Sequence, residues 1–158
     1  MRADSDTLAT TPFLLNPVRL RDTARAMSQE NVEIVKATLE AWNAGDMDAI
    51  RGVYDPNAIV RMPDDWPEPG PFVGRDAVMR QLKQLRDTYW DADTFEPISD
   101  FIDVGDRVAV RYVWRAEGRG PESNFGSTHV FTVRKGKIVG VDVIWDHAEA
   151  LETLGLSE

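Results

Sequence analysis

The stretch that most constrains the fold runs over residues 128–146 and has the pattern of a β-hairpin. Its two arms are rich in Val, Ile, Thr, Phe and Trp, the residue types that favour strands. Between the arms lies Lys135-Gly136, and glycine readily adopts the positive φ that a two-residue hairpin turn requires. The sequence therefore predicts two antiparallel strands joined by a tight turn.

The predicted turn also determines which residues of the two arms lie opposite one another. Counting outward from Lys135-Gly136 pairs His129 with Asp142. Side chains alternate between the faces of a strand, and the Cβ atoms of directly paired residues are about 5 Å apart. An imidazole and a carboxylate would then lie side by side on a mostly apolar face, and these two residues are the candidate catalytic pair. A register shift of one residue would place them on opposite faces.

Composition excludes several classes of function. The chain has 158 residues, which favours one domain, and its net charge of -9 argues against a nucleic-acid partner or an anionic membrane surface. The absence of cysteine excludes disulfides and thiolate metal sites, and the two histidines show no metal-ligand spacing. No apolar run approaches the ~20 residues that span a bilayer. We therefore expect a cytoplasmic protein that needs neither a metal nor a cofactor.

The order of the predicted elements is helical first and then mostly strand. Residues 1–26 show no sustained period and are predicted to be a flexible leader, with a single domain over residues 27–158. Helices are predicted after an N-cap at Ser28, over 47–54 and 75–90, and after a cap at Asp146. The predicted strands cover residues 58–62, 95–103, 107–117, 125–134 and 137–145.

Large aromatic residues are the candidates for a ligand pocket. Five tryptophans in a chain of this length suggest an aromatic-lined interior, although ordinary core packing explains any one of them equally well. The proline-rich loop 63–74 is predicted to close over a cavity or to pack onto the body. The candidate substrate-binding residues are Trp42, Tyr54, Met62, Trp66, Tyr112 and Phe131.

Several short segments together resemble one protein superfamily. They are Ala41-Trp42-Asn43-Ala44-Gly45-Asp46, Tyr54-Asp55-Pro56, Gly74-Arg75-Asp76-Ala77, His129-Val130-Phe131-Thr132, Gly136-Lys137-Ile138-Val139 and Trp145-Asp146. From residue 27 to the end, the chain resembles the nuclear transport factor 2-like superfamily and, within it, the SnoaL-like proteins. The resemblance implies an α+β fold, a cone-shaped barrel of a curved antiparallel sheet wrapped by three N-terminal helices, plus a short C-terminal helix. It also implies a deep apolar pocket and, usually, a homodimer.

The same resemblance implies three alternative functions. SnoaL-like polyketide cyclases use an aspartate on the last strand as acid/base and a histidine on the preceding strand, and Asp142 and His129 are similar to these residues. The first alternative is thus a cofactor-independent isomerase or cyclase that acts on an apolar carbonyl substrate. The second is a non-catalytic binder of a small apolar ligand. The third is an epoxide-hydrolase-like enzyme in which Arg111 supplies a guanidinium.

Overall fold

A computed structural model describes residues 17–89, 94–116 and 123–156, which form four helices and a seven-stranded sheet. The helices are α1 (Pro17–Ala44), α2 (Met47–Val53), α3 (Arg75–Tyr89) and α4 (His147–Thr153). The strands are β1 (Tyr54–Arg61), β2 (Phe72–Val73), β3 (Thr94–Pro97), β4 (Ile102–Val104), β5 (Arg107–Ala116), β6 (Ser123–Arg134) and β7 (Lys137–Ile144). The α+β prediction is confirmed.

The strand order shows that the sheet does not close on itself, because β2 and β3 lie at opposite edges. The order is β2-β1-β7-β6-β5-β3, and β4 also pairs with β5. Strands β1 and β7 run parallel, whereas the other pairs are antiparallel, so the sheet is mixed. It is curved and remains open at its edges.

Helix α1 starts well before the predicted cap at Ser28. It begins at Pro17, a residue whose restricted φ suits the first helical position. No proline or glycine follows Pro17 before Ser28, so nothing in this stretch interrupts the helix. The helix ends where the sequence predicts, since the N–H of Gly45 (φ 76°) donates to the carbonyl of Trp42 at 3.0 Å. Part of the predicted leader is therefore helical, and residues 1–16 lie outside the described residues.

Other element boundaries differ in smaller ways. The single strand predicted over 95–103 is two short strands, β3 and β4, which both pair with β5. The proline-rich loop contains the edge strand β2, which pairs with β1 through Val60 and Phe72. The predicted ends at Trp90 and Glu117 lie outside the described residues. None of the described helices is long and apolar enough to cross a membrane.

The two faces of the sheet support separate cores. We call the face that carries Val108, Val110 and Phe131 the inner face; it packs against α1, α2 and α3. We call the opposite face, which carries Ala109 and Val130, the outer face; α4 covers it through Ala150, together with Leu154 directly after the helix. Because side chains alternate along β5 and β6, successive residues of each strand pack into different cores.

The hairpin predicted from residues 128–146 forms, but it contains a β-bulge. Lys135 and Gly136 occupy the turn with φ of 52° and 76°, as predicted. Thr132 then lies opposite Gly140, so that Val139 is an extra residue on β7. A bulge of this kind shifts the pairing of every residue beyond it by one position.

The predicted pairing of His129 with Asp142 is therefore wrong. His129 pairs with Val143, and Asp142 pairs with Val130 on the outer face. The shifted register buries Val141 and Val143 on the inner face, where they are 4% and 7% exposed. The regular register would have buried a glycine and a carboxylate there instead, and burial of an unpaired carboxylate is costly.

Candidate functional site

A cavity of about 90 Å³ lies where α1, α2 and α3 face the inner side of the sheet. It is lined by all six residues that the sequence suggested for substrate binding: Trp42, Tyr54, Met62, Trp66, Tyr112 and Phe131. The remaining lining residues are Thr38, Leu39, Ile50, Val60, Gln81, Leu82, Leu85, Ser127, His129, Val141, Val143 and Trp145. The wall is mostly apolar, as ligand pockets usually are.

The proline-rich loop closes one side of this cavity. The ring of Trp66 lies 5.9 Å from the ring of Trp145, which directly follows β7. The indole N–H of Trp145 donates to Asp65 Oδ1 at 2.7 Å, which ties the same loop to the end of the sheet. The loop thus places Trp66 in the cavity wall, which is one of the two alternatives that the sequence left open.

His129 is a polar residue of the inner face that lines the cavity. Its ring lies 4.8 Å from that of Tyr112 in an edge-on arrangement and 6.0 Å from that of Phe131. Its Nε2 is 3.1 Å from Ser127 Oγ. Burial among these groups lowers the pKa of His129 from 6.5 to about 3, because the charged imidazolium would lose its hydration. The imidazole is therefore neutral at physiological pH.

Asp142 lies on the other side of the sheet, away from the cavity. Its side chain is 47% exposed, and its Oδ1 is 3.8 Å from a guanidinium nitrogen of Arg61. Val143 is the residue that lies opposite His129 on the inner face. The structure thus separates the two predicted catalytic residues, and no carboxylate of the described residues lines the cavity.

The tyrosines of the wall are also uncharged. Burial raises the pKa of Tyr54 above its ordinary value of 10. The pKa of Tyr112 is raised as well, first by burial and then by the neighbouring Tyr54. Both hydroxyls therefore stay protonated at physiological pH, and the polar groups of the wall can offer hydrogen bonds without charge.

Gln81 is a site residue that sequence reasoning missed. It lies on α3, three residues after Val78 and four before Leu85, and so belongs to the apolar stripe of that helix. It is 6% exposed, and its Oε1 has no hydrogen-bond partner in the described parts of the chain. A buried acceptor without a partner costs about 1–3 kcal/mol. A polar residue inside an apolar stripe was the signal that could have identified it.

Arg111 does not point into the cavity. Its guanidinium donates to Thr128 Oγ1, on the outer side of the sheet, at 3.2 Å and to the carbonyl oxygen of Trp145. It lies over Gly126, where an added Cβ would come within 2.7 Å of the guanidinium. The epoxide-hydrolase-like alternative therefore lacks its guanidinium at the cavity. Among the described residues, no group of three or more His, Asp or Glu side chains could hold a metal.

Comparisons with known proteins agree with this architecture. A family model described as the SnoaL-like domain matches residues 35–141. No curated protein matches the chain significantly. The structure of Bal32a, from a soil-derived mobile gene cassette, is similar with a TM-score of 0.71 and 22% identity, over 81% of this chain and 98% of that one.

Two further solved structures share the fold. TerC, co-crystallised with polyporic acid, has a TM-score of 0.64 and 21% identity, over 80% of this chain and 99% of that one. An NTF2-like protein of unknown function from Burkholderia pseudomallei K96243 has a TM-score of 0.65 and 21% identity, over 80% of this chain and 98% of that one. Identities this low establish similarity of fold and leave activity to be argued from the site.

Proposed function

The chain belongs to the SnoaL-like domain family, and from its cavity we propose that it binds a small, neutral, mostly apolar molecule. The observation that supports this is the character of the wall. Aliphatic and aromatic side chains dominate it, and its polar groups are amide, hydroxyl, indole N–H and neutral imidazole. A charged ligand would be desolvated without an opposite charge beside it, which disfavours binding.

The size of the cavity limits the ligand. Its volume of about 90 Å³ is of the same order as an engineered cavity of about 150 Å³ that holds benzene. We therefore expect a ligand of roughly one ring or an equally compact aliphatic group. Burial of its apolar surface would supply most of the binding free energy, at about 25 cal/mol for each Å² removed from water.

The residue that pairs with His129 favours a binding function over the acid/base alternative. Proton abstraction in SnoaL-like cyclases uses a carboxylate on the last strand, and here the residue that faces His129 from that strand is Val143. His129 itself, with a pKa of about 3, is a weak general base at neutral pH. A binding function requires neither a carboxylate in the cavity nor a general base.

The proposal is tested by titrating the protein with fluorobenzene and following the ligand by fluorine NMR. We expect saturable binding to the wild type. Val143→Phe, which adds a ring at the cavity wall, should weaken binding by about tenfold or more, since the added ring takes up the ligand's space. Asp142→Phe is the matched control, because the same change one residue earlier points to the outer face. An absence of saturable binding, or an equal loss in both variants, would contradict the proposal.

A further inference from the structure

We propose that residues 62–71, which we call the lid, open to let a ligand enter and leave the cavity, and that the hydrogen bond between Asp65 and Trp145 holds them closed. This inference rests on the proposed binding function and specifies how the cavity exchanges its ligand. The lid joins β1 to β2 and places Trp66 in the cavity wall.

The first argument is that the lid lies outside the helices and the sheet that form the rest of the wall. Among the described lining residues, all but Met62, Trp66 and Trp145 belong to helices or strands. Met62 and Trp66 belong to the lid, and Trp145 directly follows β7. Opening a helix or a strand breaks a series of paired backbone groups, whereas a loop can move without that cost. The lid is therefore the part of this wall that opens at the lowest cost.

The second argument is that exposed side-chain hydrogen bonds attach the lid to the body. The indole N–H of Trp145 donates to Asp65 Oδ1 at 2.7 Å, and the amide of Gln84 donates to Glu68 Oε1 at 3.1 Å. Both hydrogen bonds are exposed, so water can take the place of either partner when the lid moves. Trp66 adds a ring contact with Trp145 at 5.9 Å. These contacts favour the closed lid without preventing it from opening.

The third argument is that the lid is folded on itself and can move as a unit. The N–H of Met62 donates to the carbonyl of Pro69 at 2.9 Å, and the N–H of Trp66 donates to the carbonyl of Pro63 at 2.9 Å. Four prolines restrict φ within the lid. Near its end, Gly70 has a φ of 87°, in the region that glycine adopts most readily. A stiff segment of this kind can turn at its ends and carry Trp66 out of the wall.

A fixed loop and a lid lead to different expectations for Asp65. If the loop never opens, loss of the Asp65 carboxylate leaves the rates of ligand exchange unchanged, because Asp65 is not among the lining residues. If the loop is a lid, loss of the hydrogen bond raises the open fraction. The association and dissociation rate constants then rise together, and the dissociation constant stays nearly the same.

The experiment measures the exchange of fluorobenzene from the line shapes of its fluorine NMR signal. We expect Asp65→Ala to raise both rate constants about fivefold, as the loss of one hydrogen bond implies, with a dissociation constant within about twofold of wild type. Asp65→Asn should keep the wild-type rates, because its amide oxygen can still accept from the indole of Trp145. Asp64→Ala is the matched control, since Asp64 is also exposed and is not among the lining residues.

A second experiment holds the lid closed. The chain contains no cysteine, so a protein with both Glu68→Cys and Gln84→Cys has two thiols, one on the lid and one on α3. Linking them with a short bifunctional thiol reagent should slow the exchange of fluorobenzene by about tenfold or more, because the open state is no longer reached. The wild type treated with the same reagent is the control, since it has no thiol to react.

The outcomes separate this inference from the proposed function. If fluorobenzene binds but exchanges at the wild-type rate in Asp65→Ala or in the linked protein, the lid is wrong and the binding function stands. An equal acceleration in Asp64→Ala, or a rise in the dissociation rate constant alone, would also overturn the lid. If fluorobenzene does not bind the wild type saturably, the binding function itself is wrong, and the inference falls with it.

Discussion

At the scale of single residues, His129 should make the stability of the protein sensitive to acid. Its pKa is 6.5 in the unfolded chain and about 3 in the folded protein. Below pH 6.5 the unfolded chain therefore binds a proton that the folded protein does not. The stabilisation is present above the unfolded pKa and is lost as the pH falls toward 3.

We expect a change from about pH 7 to about pH 5 to lower the free energy of unfolding by up to about 2 kcal/mol through His129. Urea denaturation at the two pH values measures the loss. His129→Gln should reduce the pH dependence by that amount, because the contributions of the other titrating groups are common to both proteins. An identical pH dependence in the variant would show that the imidazole is not held neutral by burial.

At the scale of elements, the bulge in β7 decides what the cavity contains. The extra residue Val139 turns Val141 and Val143 inward and Asp142 outward. Strand β1 supports this register from the other side, since Val60 pairs with Val141 and Arg61 pairs with Asp142. The ion pair between Arg61 and Asp142 is exposed, and pairs of that kind contribute about 0–1 kcal/mol.

Substitutions at two adjacent positions of β7 test the register directly. Val143→Asp should lower the free energy of unfolding by about 3 kcal/mol or more, because it buries a carboxylate on the inner face. Asp142→Ala should change it by less than about 1 kcal/mol, since it removes an exposed ion pair. Chemical denaturation of both variants gives the comparison. A larger loss at position 142 would mean that the regular, unbulged pairing is the real one.

At the scale of the whole molecule, one sheet separates the cavity from a second core. The inner face and helices α1 to α3 form the cavity, whereas Ala150 of α4 and Leu154 directly after it pack on the outer face. Arg107 adds a hydrogen bond of 3.0 Å to the carbonyl of Thr153, near the end of α4. The two sides should therefore respond independently to substitution, as sites without shared contacts do.

Leu154→Ala should accordingly lower the free energy of unfolding by about 2 kcal/mol, since it removes apolar contacts from the outer core. The dissociation constant of fluorobenzene should stay within about twofold of the wild-type value, because the sheet lies between Leu154 and the cavity. Thermal denaturation and the NMR titration measure the two quantities. Leu82→Ala, at the cavity wall, is the contrasting variant and should change both. A weaker affinity in Leu154→Ala would show that the two cores are coupled.

Local patterns in the sequence determined much of the fold. The turn at Lys135-Gly136 and the helix end at Gly45 follow from residues that accept positive φ, and both occur where the sequence predicts. The aromatic residues suggested for the pocket line the cavity because large apolar side chains are driven out of water. The α+β class follows from the order of the elements and from the SnoaL-like resemblance. The homodimer implied by that resemblance stays a prediction.

Only the tertiary structure decided the chemistry of the site. Turn geometry alone pairs His129 with Asp142, but burial of Val141 and Val143 and the pairing with β1 favour a bulge instead. Gln81 lines the cavity because helix packing, which links residues far apart in the chain, turns the apolar stripe of α3 toward the sheet. Secondary structure depends on nearby residues, whereas the register of a strand and the contents of a cavity depend on contacts that form when distant segments meet.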